Sequence, residues 1–414
     1  MSERTVIMAA KRALTPVAEA LARVLEGADA LPEEMVALDD AYHRVLARDV
    51  AALRTQPPEA MSAMDGYAVR AQDAAGAPVN LRVIGEVAAG RPFDREIGKG
   101  EAARIFTGGV VPKGADAVVV QEDTARDGDT VTLNEAARPG RHIRFAGIDF
   151  HEGDVLLRAG TRLNERDLAL AAAMNHPQLP VRRRPKVAFL ATGDELVMPG
   201  TAPKPGQIVH SNGYALRALA RREGAEVIDL GIARDTLDDT RAKIRHAREG
   251  GADILVTTGG ASVGDHDVVK QALEAEGVEI AFWRIALRPG KPMMHGRGGA
   301  MRVIGVPGNP ASSYICSFLF AVPLIRALSG RRDVHQVAEH AILGADVAAN
   351  DHRQDYLRAR LTLTDNGPPV ATPVDQQDSS LLGNLAAAQV LVVRQPHAPA
   401  AAAGSPCVVF RLPA

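Results

Sequence analysis

The chain has 414 residues, 46% of them hydrophobic and 24% charged, the balance of a soluble globular protein with room for two to four domains. A formal net charge of −2 and an aromatic content of 4% argue against nucleic-acid surfaces and base-stacking grooves. Two cysteines, Cys316 and Cys407, leave no disulfide framework and no cysteine-rich zinc site.

The opening MSERTVIMAAKRALTP lacks the apolar core of a secretory signal. Residues 1–55 read as helical. LTPVAEALARVLEG has Thr15 placed as an N-cap and Pro16 at the first helical position, and VALDDAYHRVLARDVAAL continues in that style. Residues 56–150 change character to short β-branched runs broken by Gly and Pro, the pattern of a small β-rich domain. ERDLALAAAMN at 165–175 returns to helix, so 1–55 and 151–183 are expected to form a helical linking domain.

From 184 to 331 strands and helices alternate. KVAFLATG, AEVIDLGI, ADILVTTGG, VEIAFWRIAL and MRVIGV read as strands. SNGYALRALARREG (N-cap Ser211), DTLDDTRAKIRHAREG (starting near Asp235), DHDVVKQALEAEG and NPASSYICSFLFAVPLIRALSG read as helices. This alternation predicts a parallel, doubly wound α/β sheet, which binds ligands beyond the carboxyl ends of its strands. The longest apolar stretch, YICSFLFAVPLI at 314–325, is too short for a membrane span and contains Pro323. Residues 335–414 carry YLRARLTLT, AQVLVVRQ and PCVVFRLP, short strands of a C-terminal β domain. A cytoplasmic protein with neither membrane nor nucleic-acid partners is the expectation.

Several turns of the α/β zone carry unusual chemistry. In TTGGASVGDHD, at 257–267, glycines allow positive φ and close backbone approach at a helix start, where free N–H groups favour an anion. Taken alone, this stretch reads first as a tight strand-to-helix turn capped by Asp265 or Asp267. ATGDEL, RDT, RPGKPM and VPGNPASS follow other strands and should gather on the same rim. They bring Asp194, Glu195, Asp235, Asp267, Arg288, Lys291, Ser312 and Ser313 together. Acids there suit a hard cation such as Mg²⁺, while Arg and Lys suit an oxyanion or phosphate. Each has a plainer reading. Asp235 is also a helix cap, and Asn309-Pro310 is a good helix start in its own right. Lys291, between Pro289-Gly290 and Pro292, is aimed by stiff surroundings. His210 and His266 lack paired spacing and read as turn histidines rather than metal ligands. In the β-rich zone, MSAMDGYAV and IFTGGVVPKGADAVV read singly as hairpin punctuation.

Together, SAMDGYAV, IFTGGVVPKGADAVVVQED, ATGDEL, TTGGASVGDHD, ALRPGKPM and GVPGNPASS stand in the order found in the MoeA family of molybdenum cofactor biosynthesis. The chain resembles that family over essentially its whole length. Its central zone alone is similar to the MogA-type pterin adenylyltransferases, from which the MDGYA and FTGG blocks separate it. The resemblance implies an elongated four-domain homodimer with a MogA-like α/β domain. It implies insertion of molybdate into adenylylated molybdopterin with Mg²⁺-dependent release of AMP, in a cleft shared with the partner subunit. A MogA-type adenylyltransferase and recipient molybdoenzymes are implied as further partners.

Carried over by matching blocks, Asp65, Thr107 and Asp149 would reach in from the β-rich domain. Glu195, Asp235 and Asp267 would be the catalytic and metal-holding acids. Thr192, Gly259, Gly260, Ser262, Arg288, Lys291, Ser312, Ser313, Arg353, Arg358 and Ser379 would bind substrate. Arg288 stands where the family more often has lysine, QDSSLLGNLA replaces a more glycine-rich stretch, and Ile148 replaces a common acid. Two other functions fit parts of the pattern: a MogA-like adenylyltransferase, and a non-enzymatic pterin carrier.

Overall fold

The computed structural model describes residues 14–91, 93–259 and 268–413. Asp267, Gly260 and Ser262 lie outside the described residues.

The α/β unit is a six-stranded sheet in the order Glu226–Ala233, Lys186–Thr192, Ile254–Thr258, Met301–Val306, Pro292–Gly298, Glu279–Arg284. The first four strands are parallel, with Val187 opposite Ile254 and Ile254 opposite Arg302. The last two pairings are antiparallel, so Pro292–Gly298 alone runs against the other strands and the sheet is mixed rather than parallel throughout. The cause is local: Gly299, at φ +65°, makes a tight reversal that folds Pro292–Gly298 back against Met301–Val306. Pro292 and Met293, expected in the turn RPGKPM, thus begin a strand.

Alternation along the buried strands feeds two cores. Val187, Phe189, Ile254, Val256 and Ile304 face Leu216, Leu219 and the helix run Pro310–Leu328. Ala188, Leu190, Leu255 and Val303 face Ile244, Ala247, Val269 and Leu273. Helices thus cover both faces, as doubly wound strands require. Pro310–Leu328 is, among the described residues, the one helix long and apolar enough to cross a membrane. Its apolar window is 83% buried inside the protein, which makes it a core helix.

The first helix, Val17–Leu25, packs Val17, Ala20 and Val24 into this same core. The expected second helix, in contrast, is absent. VALDDAYHRVLARDVAAL contains the end of the strand Glu33–Ala37, a 3₁₀ turn Leu38–Asp40 and the strand Val50–Ala51. Glu33–Ala37 pairs antiparallel with Gln178–Arg182, and the Leu46 and Ala47 amides donate to Thr161 and Pro180 carbonyls. Long-range partners claim the backbone groups that a helix would have paired internally. The helix Glu165–Ala173 is present, opened by a reciprocal capping box between Asn164 and Asp167.

The β-rich unit is a six-stranded sheet running Ala117–Val120, Gly66–Val69, Glu101–Ile105, Val79–Val87, Thr130–Leu133, Thr124–Asp127. MDGYA needs its glycine because the neighbouring strand passes directly over it: a Cβ on Gly66 would lie 2.0 Å from the Val119 carbonyl oxygen. In the C-terminal unit, Gln354–Thr362 pairs with both Val370–Pro373 and Val390–Arg394, which closes the strands into a small barrel. The start of the same strand also pairs in parallel with Leu287–Arg288, tying the barrel to the α/β unit.

His295 sits fully buried in Pro292–Gly298, with Nδ1 3.1 Å from the Val303 carbonyl and Nε2 unpartnered. Burial holds its pKa down at about 4, against 6.5 for a free imidazole. The unfolded chain therefore takes up a proton first as pH falls. Stability should drop by about 3 kcal/mol between the unfolded and folded pKa values. Equilibrium unfolding in denaturant from pH 7 to pH 4 should show this slope for the wild type and a shallower one for His295→Phe.

Candidate active site

Register places the site. Because Ala191 of one strand is opposite Thr258 of the next, both strands end at the same rim, Thr192 beside Gly259. Gly259 has φ +85°, and a Cβ there would come within 2.5 Å of the Thr192 carbonyl oxygen. Only glycine permits that approach. Beyond these strand ends opens a cavity of about 500 Å³. Thr192, Glu195, Thr258 and Gly259 line one part of it, with His210, Ser211 and Asn212 at the start of the helix Asn212–Arg222. Gly308, Asn309 and Pro310 line another part, and Ser380 and Leu382 come from the C-terminal barrel.

The barrel loop is strapped onto the α/β unit. Asn309 Nδ2 donates to Ser379 Oγ at 2.8 Å, and the Ala311 amide donates to the Ser379 carbonyl at 3.0 Å. Ser379 thus sits beside the cavity while its neighbour Ser380 lines it. Asn212 Nδ2 donates to the Gly308 carbonyl at 2.6 Å, joining two rim loops. Ser312 and Ser313 are buried in the helix behind this rim. The Ser313 hydroxyl donates to the Pro310 carbonyl at 3.0 Å, so the structure places both serines away from the cavity lining.

On the acidic side, Asp194 and Asp235 clasp each other. The Asp194 amide donates to Asp235 Oδ2 at 3.3 Å, and the Asp235 amide to Asp194 Oδ1 at 3.2 Å. Asp235 does not cap the following helix, whose N-cap is Thr236 without a side-chain bond. Its exposed carboxylate is left on the rim, with the Glu195 carboxylate at the cavity wall. No group of three potential metal ligands occurs among the described residues, and Asp267 lies outside them. The donors present are hard carboxylate oxygens, which suit Mg²⁺ rather than a soft metal.

The cations divide into engaged and free. Arg288 donates to Asp355 Oδ2 from Nε at 2.9 Å and to Asn350 Oδ1 from Nη2 at 2.8 Å, with Nη2 also 2.8 Å from Asp355 Oδ2. Asp351 lies 3.6 Å from Nη1. The Arg288 charge is engaged at the barrel junction, with its side chain 40% exposed. Arg353 pairs with Asp351 at 2.8 Å, and hydrogen bonds from Arg353 hold the Asp351 carboxyl well below the usual range. Arg358 is fully buried. Its Nε donates to Gln377 and its Nη1 to the Asp378 carbonyl, while Nη2 has no partner. Lys291 is exposed on its turn and makes no ion pair among the described residues.

Asp65 and Thr107 form a unit of their own. Asp65 Oδ1 accepts from the Thr107 amide at 2.7 Å and its hydroxyl at 2.8 Å, bonds that lower the Asp65 pKa. Asp149 is exposed, with its amide on the Gln56 carbonyl. The hydrogen bonds of these three stay within the N-terminal half of the chain and do not reach the cavity. His210, Ser211, Asn212, Asn309, Ser380 and Leu382 line the cavity without having been expected there. QIVHSN carried a polar triplet after an apolar pair, the one signal that pointed to it.

Family models match the chain in succession: the MoeA N-terminal region (domains I and II) over 15–175, a probable molybdopterin binding domain over 188–327, and the MoeA C-terminal region (domain IV) over 340–412. The molybdopterin molybdenumtransferase of a Nostoc species is 37% identical over 388 residues, 92% of this chain and 89% of that protein. The chain belongs to the MoeA family. The molybdopterin molybdenumtransferase of Bacillus subtilis is 36% identical over 93% of this chain and 91% of its own. A solved MoeA structure from Pyrococcus horikoshii superposes with a TM-score of 0.84 at 32% identity, covering 97% of this chain and all of that one. As a MoeA protein the chain is a transferase enzyme of molybdenum cofactor biosynthesis.

Arg288→Met should leave Asp355, 7% exposed, without its cation. Burial already raises the Asp355 pKa. Thermal unfolding at pH 7 should shift down by about 5 °C. The deficit should shrink as pH falls and the stranded carboxyl takes up a proton; equal loss at all pH values would refute the pairing.

Proposed function

We propose that this MoeA protein inserts molybdate into adenylylated molybdopterin and releases AMP, with Mg²⁺ required. The observation that carries this reading is the joint cavity. Strand-end backbone, the Glu195 carboxylate and a barrel loop converge there, and Lys291, exposed and without an ion pair among the described residues, supplies a cation.

The residues divide the work by charge. Thr192, Gly259, Asn212 and Asn309 offer backbone and amide groups that orient a phosphorylated ligand without adding net charge. Molybdate, a dianion, is drawn by Lys291, since the charge of Arg288 is already compensated. In the transfer, both dithiolene sulfurs bond to molybdenum and one oxide leaves as water with the thiol protons. Water cleaves the phosphoanhydride, and AMP is the leaving group. Glu195 and Asp235, with Asp267, would hold Mg²⁺, which supplies charge neutralisation and polarisation at the phosphoryl oxygens. Asp65, its carboxylate fixed by Thr107, and Asp149 approach from the β-rich domain of a partner subunit in a homodimer. The protein acts in the cytoplasm, between a MogA-type adenylyltransferase and recipient molybdoenzymes.

AMP release from adenylylated molybdopterin, with and without molybdate and Mg²⁺, tests the reading. The wild type should respond to molybdate, and Asp235→Asn should lose about 100-fold in rate. Lys291→Ala should raise the molybdate concentration for half-maximal rate about tenfold, a loss near 1.4 kcal/mol. Pterin binding with no AMP release by the wild type would favour a carrier instead.

A further inference from the structure

His210 is 5% exposed and lines the cavity, yet no hydrogen bond reaches its imidazole among the described residues. The ring is seated deliberately. It lies over Gly213 in the first turn of Asn212–Arg222, where a Cβ would come within 2.5 Å of Nε2. Tyr214 is 6.1 Å away between ring centroids. Behind it, Arg217 stacks 4.7 Å over Tyr214 and pairs with Asp229 at 2.9 Å. Of the residues beside it, Ile208, Val209 and Leu382 are large apolar side chains that remain 57%, 42% and 43% exposed and line the same cavity. A buried, unpartnered polar ring next to uncovered apolar surface fits a flat ligand with a polar edge.

We propose that His210 contacts the substrate, hydrogen-bonding through an imidazole nitrogen to the uncharged heterocyclic edge of the nucleotide or pterin, while Ile208, Val209 and Leu382 cover its face. This rests on the proposed function and adds a residue to its site. Two charged groups and one phenol bear on the ring, Arg217 and Tyr214 from the helix that follows it and Asp229 from the neighbouring strand, while Glu195 lines the same cavity. Burial first, then Arg217, lowers the His210 pKa, and Asp229 opposes them. At neutral pH the imidazole is therefore uncharged, with one nitrogen to donate and one to accept. It reads a heterocycle edge and adds nothing to the attraction of phosphate or molybdate.

The test measures binding of adenylylated molybdopterin, and separately of molybdate, to the full-length wild type, His210→Ala and His210→Gln from pH 5 to 8. Ala should weaken pterin-nucleotide binding about tenfold at pH 7 and leave molybdate binding unchanged. Gln should restore most of the loss, since a neutral amide also donates and accepts. Wild-type affinity should fall toward pH 5 as the ring takes up a proton, and the Gln variant should lack that limb. Unchanged binding by Ala, or equal losses for nucleotide and molybdate, would overturn the proposal. Where Ala lowers the melting temperature, the pH profile of Gln decides. AMP release measured in parallel keeps the readings apart: a wild type that binds but does not react refutes the proposed function and leaves the His210 result standing.

Discussion

The parallel register between Lys186–Thr192 and Ile254–Thr258 is the constraint on which the rest depends. It ends two strands at one level, and Gly259 then lets the backbone turn away within contact of Thr192. Move the register by one residue and the inward faces exchange, so Leu190 and Leu255 would leave the core they share. Cavity and core are thus fixed by the same pairing. The cavity keeps its geometry because apolar burial on both faces of the sheet holds the strands in place.

Charge is arranged around this frame with little redundancy. Arg288 and Arg353 are matched to Asp355 and Asp351, and Asp194 and Asp235 hold each other's amides. Arg358 is buried with one nitrogen unpartnered, a costly arrangement that persists because Gln377 and the Asp378 carbonyl hold the rest of the guanidinium. Arginine at 288 suits this design better than lysine would. Its fork reaches Asp355 with two nitrogens and Asn350 with one of them, which a single ammonium cannot reproduce.

The α/β alternation was legible because long periodic segments declare themselves, and the MoeA blocks were legible as ordered motifs. What escaped the sequence was decided by distant partners. The stretch after Pro32 has helical composition but pairs with residues nearly 150 positions on. The pairing of Arg288 with Asp355 escaped because nothing local announces it. His210 looked like a turn residue because its burial comes from the fold of the rim and from Gly213, whose missing side chain makes the space. Serines 312 and 313 stand at a helix start as the sequence indicated, and their burial there was not legible because it follows from the helical phase.

The first helix has a practical consequence. Val17, Ala20 and Val24 are core residues of a unit whose sheet begins some 160 positions later, and Thr15 bridges to Ile285. The strand pair at Leu287–Arg288 adds a second dependence, on the barrel. Excising 184–331 as a free-standing fragment would strip an apolar helix from one face and leave Arg288 without its acids. The α/β unit is contiguous in sequence but not self-sufficient, and dissection of this protein has to follow its packing rather than its motifs.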